Sequence, residues 1–446
     1  MNESQPFTSV HGLRSPKQPQ LAKLRLSGWY NYYAGYAPEF VEDIATRMNL
    51  PEGSVLLDPW NGVGTTTQVA QNTGYRGIGF DLNPAVNLIA KARTLDASVT
   101  PSIGPLTAEI LRTATLTRNP AHNQLESLTF WFTENTSQDL RRIERAIQRL
   151  LIDKDNFIRV VQLSSLKSIS NLAAFFYTVL FRTVRTMLAQ FRTSNPTWII
   201  QKRSTRSPVA CPPSEIARLF IHFTAEMARA IEASRYKRYP TLVDIAASTS
   251  LPLDNGSVAA VITSPPYCTR IDYAVTTSPE LAVLGMDMGA EFKTFRDKMI
   301  GTPTIAKASP SPSAEWGVNC NRVLTIIARH ESRAARSYYL KTYLQYFSDL
   351  NLSMREIARV LTPGGIAAIV VQDSYFKEVH IDLAKIVTQM GENHGMSMIG
   401  QSDFPQPRTM RSVNSKAREY CDKVVAVESV VILQQDREAP CLSKDN

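Results

Sequence analysis

The sequence predicts an α/β protein built on a mostly parallel, Rossmann-like sheet with helices on both faces. Three observations carry this prediction. Short apolar runs with sheet character alternate with helix-like segments towards both ends of the chain. Five of the 20 glycines (Gly62, Gly64, Gly74, Gly77, Gly79) crowd together, which marks tightly turned backbone or close approach to a ligand. From there to Gly256 only Gly104 appears, and that stretch carries helical periodicity. A mainly α-helical insertion over 96–239 therefore divides an α/β body made of 27–95 and 240–435.

Residues 1–26 are rich in Pro, Gln and base and read as a basic N-terminal segment. A helix over 38–48 leads to a strand at Val55–Leu57, a helix over 65–72, a strand at Gly77–Phe80 and a helix over 84–93. Within the insertion, Leu140, Ile143, Ile147, Leu150 and Leu151 share one face of a helix over 137–151. Ile216, Leu219, Phe220, Phe223, Met227 and Ile231 do the same over 214–234, and a third helix covers 170–191. Segments 96–106 and 193–213 read as irregular and polar. Beyond the insertion come a strand at Ala259–Thr263, a Pro-, Ser- and Thr-rich loop over 301–321, a helix over 342–361 and a strand at Ile366–Val371. Met396–Ile399 and Val424–Leu433 pair as a hairpin at one edge, and 436–446 forms a tail.

The chain has 446 residues, enough for two or three units at roughly 150 residues each. With 43% hydrophobic and 20% charged residues it is neither a disordered chain nor a coiled coil. The five cysteines contain no C-x-x-C pair, which speaks against a disulfide framework or a zinc knuckle. The six histidines show no metal spacing, so a metal-free reaction is expected. No apolar run reaches the length of a membrane span. A soluble, cytoplasmic protein is the expectation.

Two segments carry chemistry. In Val55-Leu-Leu-Asp-Pro-Trp-Asn-Gly-Val-Gly-Thr-Thr-Thr67 an apolar strand ends in Asp58, turns through Gly62 and Gly64, and starts a helix at Thr65 and Thr66. The glycines let a ligand lie against the backbone, and the helix start offers free N–H groups. Asp81 ends the next strand, where an acid suits two ribose hydroxyls. The spacing is not that of the dinucleotide fingerprint, so a nucleoside without pyrophosphate fits better; the alternative is a tight turn and nothing more. In Ala259-Ala-Val-Ile-Thr-Ser-Pro-Pro-Tyr267 a second strand stops at Ser264, two prolines and an aromatic ring. Pro265 and Pro266 fix φ and remove two N–H donors. A hydroxyl, rigid carbonyls and the face of Tyr267 suit a flat heterocycle with an exocyclic amine, although a rigid strand-end turn needs the same residues.

Together these motifs resemble the S-adenosylmethionine-dependent DNA amino-methyltransferases, which act on cytosine N4 or adenine N6. The family's D-P-x-x-G-x-G-T cofactor loop is matched by Asp58-Pro-Trp-Asn-Gly-Val-Gly-Thr65, and its (S/T/N/D)-P-P-(Y/F/W) motif by Ser264-Pro-Pro-Tyr267. Tyr32-Tyr-Ala-Gly-Tyr-Ala-Pro-Glu-Phe40 resembles the segment that closes over the methionine end of the cofactor. Asp244-Ile-Ala, followed by Leu251–Val258, resembles the motif whose acid lies near adenine, and Thr362-Pro-Gly-Gly365 the turn into the fifth strand. The resemblance covers roughly 27–95 and 240–435, and the 96–239 insertion has no counterpart in it. It implies a class I methyltransferase fold with a mostly parallel seven-stranded sheet. It also implies S-adenosyl-L-methionine as cofactor, held by Tyr33, Pro38, Phe40, Asp58, Pro59, Gly62, Gly64, Thr65, Thr66, Asp81 and Asp244. Ser264, Pro265, Pro266 and Tyr267 would be catalytic, acting on a base flipped out of duplex DNA.

Serine at the first position of the motif resembles the cytosine-N4 enzymes more than the adenine-N6 enzymes; adenine N6 is the alternative, with an RNA or protein-amide target behind it. A non-enzymatic protein with a decayed cofactor pocket has no support, since the motif residues are all present. Arg270, Asp272 and Tyr273 follow directly and are candidates to line the base pocket, or Asp272 pairs with Arg270 as a structural bridge. Segment 182–238 holds 11 Lys or Arg against three acids, which suits phosphate contact. Within it Lys202, Arg203 and Arg206 have side chains that reach base edges; the alternative is a solvated helical face. Arg322–Lys341 and Arg408–Arg418 are further candidates for the DNA surface. A restriction endonuclease or other defence-system partner fits this reading.

Overall fold

The computed structural model describes residues 7, 9–17, 28–30, 35–117, 126–153, 157–191, 199, 207–234, 239–268, 271–305, 309–406 and 426–437. Its first half begins with helix α1 (Pro38–Arg47), strand β1 (Val55–Asp58), helix α2 (Thr65–Thr73), strand β2 (Arg76–Asp81) and helix α3 (Pro84–Arg93). Local chemistry explains these boundaries. Pro38 opens α1, where its missing N–H costs nothing, with Glu39 in the first turn and Arg47 in the last. Asn83 caps α3 by accepting from the Ala85 amide, and Pro84 follows at the first helical position.

Four long helices come next: α4 (Thr100–Leu116), α5 (Glu134–Leu151), α6 (Asn171–Met187) and α7 (Pro213–Ala233). Strands β3 (Thr241–Ile245) and β4 (Val258–Thr263) return the chain to the sheet, followed by short helices α8 (Tyr273–Thr276), α9 (Ser278–Val283) and α10 (Ala290–Asp297). Helices α11 (Gly317–Arg329) and α12 (Leu340–Val360) flank a π-helical turn at Ala335–Tyr339. Strand β5 (Leu361–Gln372), a small hairpin of β6 (Ser374–Phe376) and β7 (Val379–Ile381), helix α13 (Leu383–Asn393), and strands β8 (Met396–Gln406) and β9 (Ala426–Gln435) complete the described chain.

The seven-stranded sheet runs in the order β3-β2-β1-β4-β5-β9-β8. The first five strands are parallel, with Leu57 opposite both Ile78 and Val261 and Ile262 opposite Ala368. β9 runs antiparallel to β5 and to β8, so the expected hairpin closes the edge. Strand order reverses between β1 and β4. At such a switch point the connections diverge to opposite sides and leave a crevice outside the carboxyl ends of the strands. Asp58 and Thr263 end those two strands.

Side-chain alternation along the buried strands feeds two cores. Ala260, Ile262, Ile366, Ala368 and Val370 pack with Phe40, Val41 and Ile44 of α1 on one face. Val261, Ala367, Ile369 and Val371 pack with α11, α12 and α13 on the other. A third core joins α3 to α4–α7, to α8–α10, and to Trp29 and Tyr30. The helical layer is therefore continuous with the catalytic body through α3 instead of forming a body of its own.

Two expectations need correction, and the N-terminal segment gains a placement that its composition did not give. Residues 96–106 are not irregular throughout: α4 starts at Thr100 and runs through Pro105, because Ile103, Thr107, Ile110 and Ala114 place a buried face at helical spacing. The 301–321 loop gives way to a 3-10 turn at Ala314–Trp316 and to α11, with Trp316 buried. Residues 9–17 are tied down: the Arg47 guanidinium donates to the Ser9 and His11 carbonyls at 2.9 Å each, and the Ser402 hydroxyl donates to the Val10 carbonyl at 3.1 Å. Among the described residues no helix is long and apolar enough to cross a membrane, and no cluster of His, Cys, Asp and Glu could hold a metal ion.

Candidate active site

The two loops line one cleft at the switch point. Pro59, Trp60, Asp81 and Leu82 line it from the β1 and β2 side, and Ser264, Pro265, Pro266 and Tyr267 from the end of β4. Ala246, Ser248, Tyr273, Met299 and Ile300 complete the wall. Residues some two hundred positions apart thus face one another because their strands are neighbours in the sheet.

Asp58 is the anchor behind the wall. It is 2% exposed and accepts four hydrogen bonds. The Tyr36 and Thr66 hydroxyls reach Oδ2 at 2.8 Å each, while the Thr263 hydroxyl at 2.6 Å and the Trp60 amide at 3.1 Å reach Oδ1. Burial raises its carboxyl above the ordinary range, and these donors pull it back down. One carboxylate so ties the segment before α1, the start of α2, the cofactor-type loop and the last residue of β4 together. A direct bond from Asp58 to a ligand gives way to this internal role, since the buried carboxylate is already fully engaged.

Asp81 lies on the cleft wall itself. Oδ1 accepts from the Asn83 amide at 2.8 Å and Oδ2 from the Gly62 amide at 3.1 Å. Burial pushes its carboxyl up to about 6 against the pull of those two amides. Glycine is required at position 64, because its backbone is αL (φ +83°) and a Cβ there would stand 2.6 Å from the Ala90 Cβ of α3. The loop is therefore pressed onto α3 as well as turned.

The Ser264 hydroxyl donates to the Val370 carbonyl of β5 at 3.0 Å. Its proton is spent on the sheet, which leaves its lone pairs as acceptors on the cleft side. The Pro266 carbonyl accepts from the Tyr346 hydroxyl of α12 at 2.9 Å, and the Tyr267 amide donates to the Tyr273 hydroxyl at 3.2 Å. Gly301 holds the following loop against Tyr267, since a Cβ there would lie 2.9 Å from the Tyr267 carbonyl. The Ser264–Tyr267 turn is thus braced on three sides.

Other expected contacts are not made. Phe40 is fully buried in the α1 core, packs on Tyr36 with ring centroids 5.8 Å apart, and is absent from the cleft wall. Pro38 starts α1 and is absent from the cleft wall, while Thr65 and Thr66 are buried at the start of α2. Asp244 is occupied: Oδ1 accepts from the Leu166 amide at 2.6 Å and Oδ2 from the Ser165 hydroxyl at 2.7 Å, which pins β3 to the helical layer. Asp272 caps α8 through the Val275 amide and pairs with Arg296, so it is a structural bridge whose cation is Arg296. Tyr273 does line the cleft. Tyr33, Arg270, Lys202, Arg203 and Arg206 lie outside the described residues.

The described part of the basic stretch 182–238 also reads differently. Arg182 pairs with Glu226 at 2.9 Å, Arg218 with Glu215 at 2.7 Å, and Arg185 with Glu280, a carboxylate with no exposure at all. Arg182 and Arg185 are thus engaged within the fold, whereas the Arg218–Glu215 pair lies on the surface. The sequence reading also missed Trp60, Ser248, Met299, Ile300, Tyr36, Thr263 and Tyr346 as site or bracing residues. Trp60, Tyr36 and Thr263 sit inside motifs already quoted, whereas Met299, Ile300 and Tyr346 come from segments with no motif.

The sheet order, the cleft at the switch point and the two motif loops define a Rossmann-like class I methyltransferase. Two known enzymes share most of the chain. The type II methyltransferase M.BsoBI of Geobacillus stearothermophilus is 24% identical over 411 residues, 84% of this chain and 79% of that protein. The type II methyltransferase M.MvaI of Kocuria varians is 22% identical over 423 residues, 89% and 87% respectively. Over most of its length the chain is thus similar to type II methyltransferases. No protein-family model matches it. A solved 16S rRNA adenine methyltransferase from Catenulisporales acidiphilia overlaps 49% of this chain and 72% of its own at a TM-score of 0.19 and 11% identity, too slight a likeness to bear on function.

The residues present suit S-adenosyl-L-methionine, the cofactor that the two motifs imply. Asp81 offers a partly exposed carboxylate for a ribose diol, Pro59, Trp60 and Leu82 give apolar walls for a base, and no second phosphate-binding turn is present.

Proposed function

We propose that the protein methylates the exocyclic amine of a base flipped out of duplex DNA, with cytosine N4 favoured over adenine N6. The observation that carries this reading is that the cofactor-type residues Pro59, Trp60 and Asp81 and the turn Ser264–Tyr267 line one cleft. S-adenosyl-L-methionine supplies an electrophilic methyl group when bound. Everything else is positioning by the chain's own residues. The Ser264 hydroxyl, having donated to Val370, accepts one N–H of the amine, and the Pro265 carbonyl accepts the other. Both bonds draw the amine hydrogens aside and turn its lone pair out of conjugation with the ring. Tyr267 stacks on the base. The proton released by the product amine passes to water, so no strong general base is needed.

Asp81 holds the ribose end of the cofactor, and Asp58 holds the two loops in register. The preference for cytosine rests on the resemblance, in which serine marks the cytosine enzymes. The hydroxyl's acceptor role serves either base. The relatives' type II designation fits a restriction-modification setting with a nuclease partner. The body made of 27–95 and 240–435 carries the chemistry, and the 96–239 layer supports it.

Single-molecule sequencing of DNA from cells expressing the protein tests the reading, because it reports the modified base together with its flanking sequence. Ser264→Ala should remove the modification, with a fall in kcat of about 100-fold or more, and leave cofactor affinity unchanged. An unmodified genome with the wild-type protein, alongside methylation of tRNA or rRNA in vitro, would overturn it.

A further inference from the structure

We propose that the exposed ridge of Arg322, Arg329, Arg333, Arg336 and Lys341 is the surface that grips the phosphates of duplex DNA beside the cleft. This rests on the reading of the cleft as a DNA-methylating site and adds where the duplex lies. Between Arg322 and Lys341 there are five basic residues and one carboxylate, Glu331. All five basic residues are exposed. An ordinary solvated face carries interspersed charges of both signs, whereas this one is nearly of a single sign.

The ridge also differs in how its charge is used. Of the four described cations of 182–238, Arg182, Arg185 and Arg218 are neutralised by carboxylates of the same chain, and only Arg229, which donates to the Ala225 carbonyl, is not. Among the described residues no carboxylate lies within ion-pair distance of Arg322, Arg329, Arg333 or Lys341, and Arg336 donates to the Ala328 carbonyl at 2.7 Å, an uncharged acceptor. Their charge is left for a partner with closely spaced anions. Duplex DNA presents one every ~1.7 Å of axis.

Position completes the case. The Tyr338 hydroxyl of the π-helical turn donates to the Pro303 carbonyl at 3.1 Å. That carbonyl belongs to the loop whose Met299 and Ile300 line the cleft and whose Gly301 packs on Tyr267. Arg336 and Arg333 precede Tyr338 by two and five residues, so the ridge starts at the rim of the cleft. It continues along α11, where Arg322 and Arg329 are seven residues apart, about 10 Å along one face. The opposite face of α11, with Cys320, Val323, Leu324 and Ile327, is buried. A base rotated into the cleft stays joined to its strand, and the flanking phosphates must then cross this rim.

The test is binding of a duplex of about 30 base pairs between roughly 50 and 200 mM salt, measured by fluorescence anisotropy and paired with methylation kinetics. Arg322→Gln/Arg329→Gln/Arg333→Gln should lower the slope of log affinity against log salt by about 0.9 for each phosphate that is no longer neutralised, two to three in all. KM for DNA should rise tenfold or more, with kcat at saturating DNA and cofactor affinity unchanged. Arg149→Gln/Arg229→Gln, exposed arginines of α5 and α7, should leave the slope as it is. An unchanged slope in the triple variant, or a drop confined to the α5/α7 pair, overturns the ridge while the methylation reading stands. A wild-type protein that neither binds nor methylates duplex DNA overturns that reading first.

Discussion

The Thr263 hydroxyl donates to Asp58 Oδ1 at 2.6 Å, so the residue before Ser264 hangs on the acid that opens the cofactor loop. This bond ties the acceptor of the target amine to the loop that frames the cofactor. Thr263→Val keeps the shape and removes the donor, leaving a buried carboxylate short of one partner. The expected cost is about 1–3 kcal/mol of stability, read by urea unfolding, together with a fall in kcat. Thr263→Ser should restore both, which replacement of mere bulk would not predict.

Asp81 gives the site a pH dependence of definite sign. Burial raises its carboxyl to about 6, and ribose hydroxyls bond best to the charged form. Cofactor affinity should hold above that pH and weaken by up to about tenfold per unit below it, measured by calorimetric titration. Asp81→Asn should bind weakly at every pH, with a flat profile. Because the folded-state value lies above the unfolded one, ionised Asp81 weakens the cofactor-free fold above about pH 6. That penalty is relieved as pH falls towards about 4.

Tyr346 steadies the Ser264–Tyr267 turn from behind through the Pro266 carbonyl. Tyr346→Phe removes one hydroxyl and leaves that carbonyl without its partner. A loss of about 1 kcal/mol is expected, with kcat down by roughly tenfold as the turn loses its aim. Cofactor affinity should not change. A kcat equal to wild type would show that the turn holds its shape unaided.

Arg185 separates structural charge from DNA-binding charge. Its guanidinium bonds the buried Glu280, with Nη2 2.7 Å from Oε2. Arg185→Met should therefore destabilise the fold by about 3–5 kcal/mol, seen as a lower denaturation midpoint. The salt dependence of DNA binding by the protein that remains folded should be that of wild type.

Much of the body was legible because parallel strands buried on both faces read as continuous apolar runs. Val55–Leu57, Ala259–Thr263 and Ile366–Val371 each fell within a strand. Their C-terminal residues then fell on one side of the sheet, so Asp81 and Ser264 met in one cleft as their motifs implied. What stayed hidden has a common cause: it depends on partners far away in sequence. Phe40 and Asp244 carry the right residue types, yet the α1 core and the Ser165–Leu166 backbone claim them. Arg182 and Arg185 looked like free charge because Glu226 and Glu280 are 44 and 95 residues away. α11 had helical spacing at Cys320, Val323, Leu324 and Ile327, but the adjoining Pro- and Ser-rich run and its β-branched residues masked it.

Because Val86, Leu88 and Ile89 of α3 bury their side chains among those of α4–α7, the helical layer has no dry seam along which to be cut away. Excising it would strip one side of the β1–α2–β2–α3 unit and wet an aromatic cluster that includes Trp29, Phe175 and Phe176. A chimera that grafts in another enzyme's segment at 96 and 239 would have to carry α3 with it.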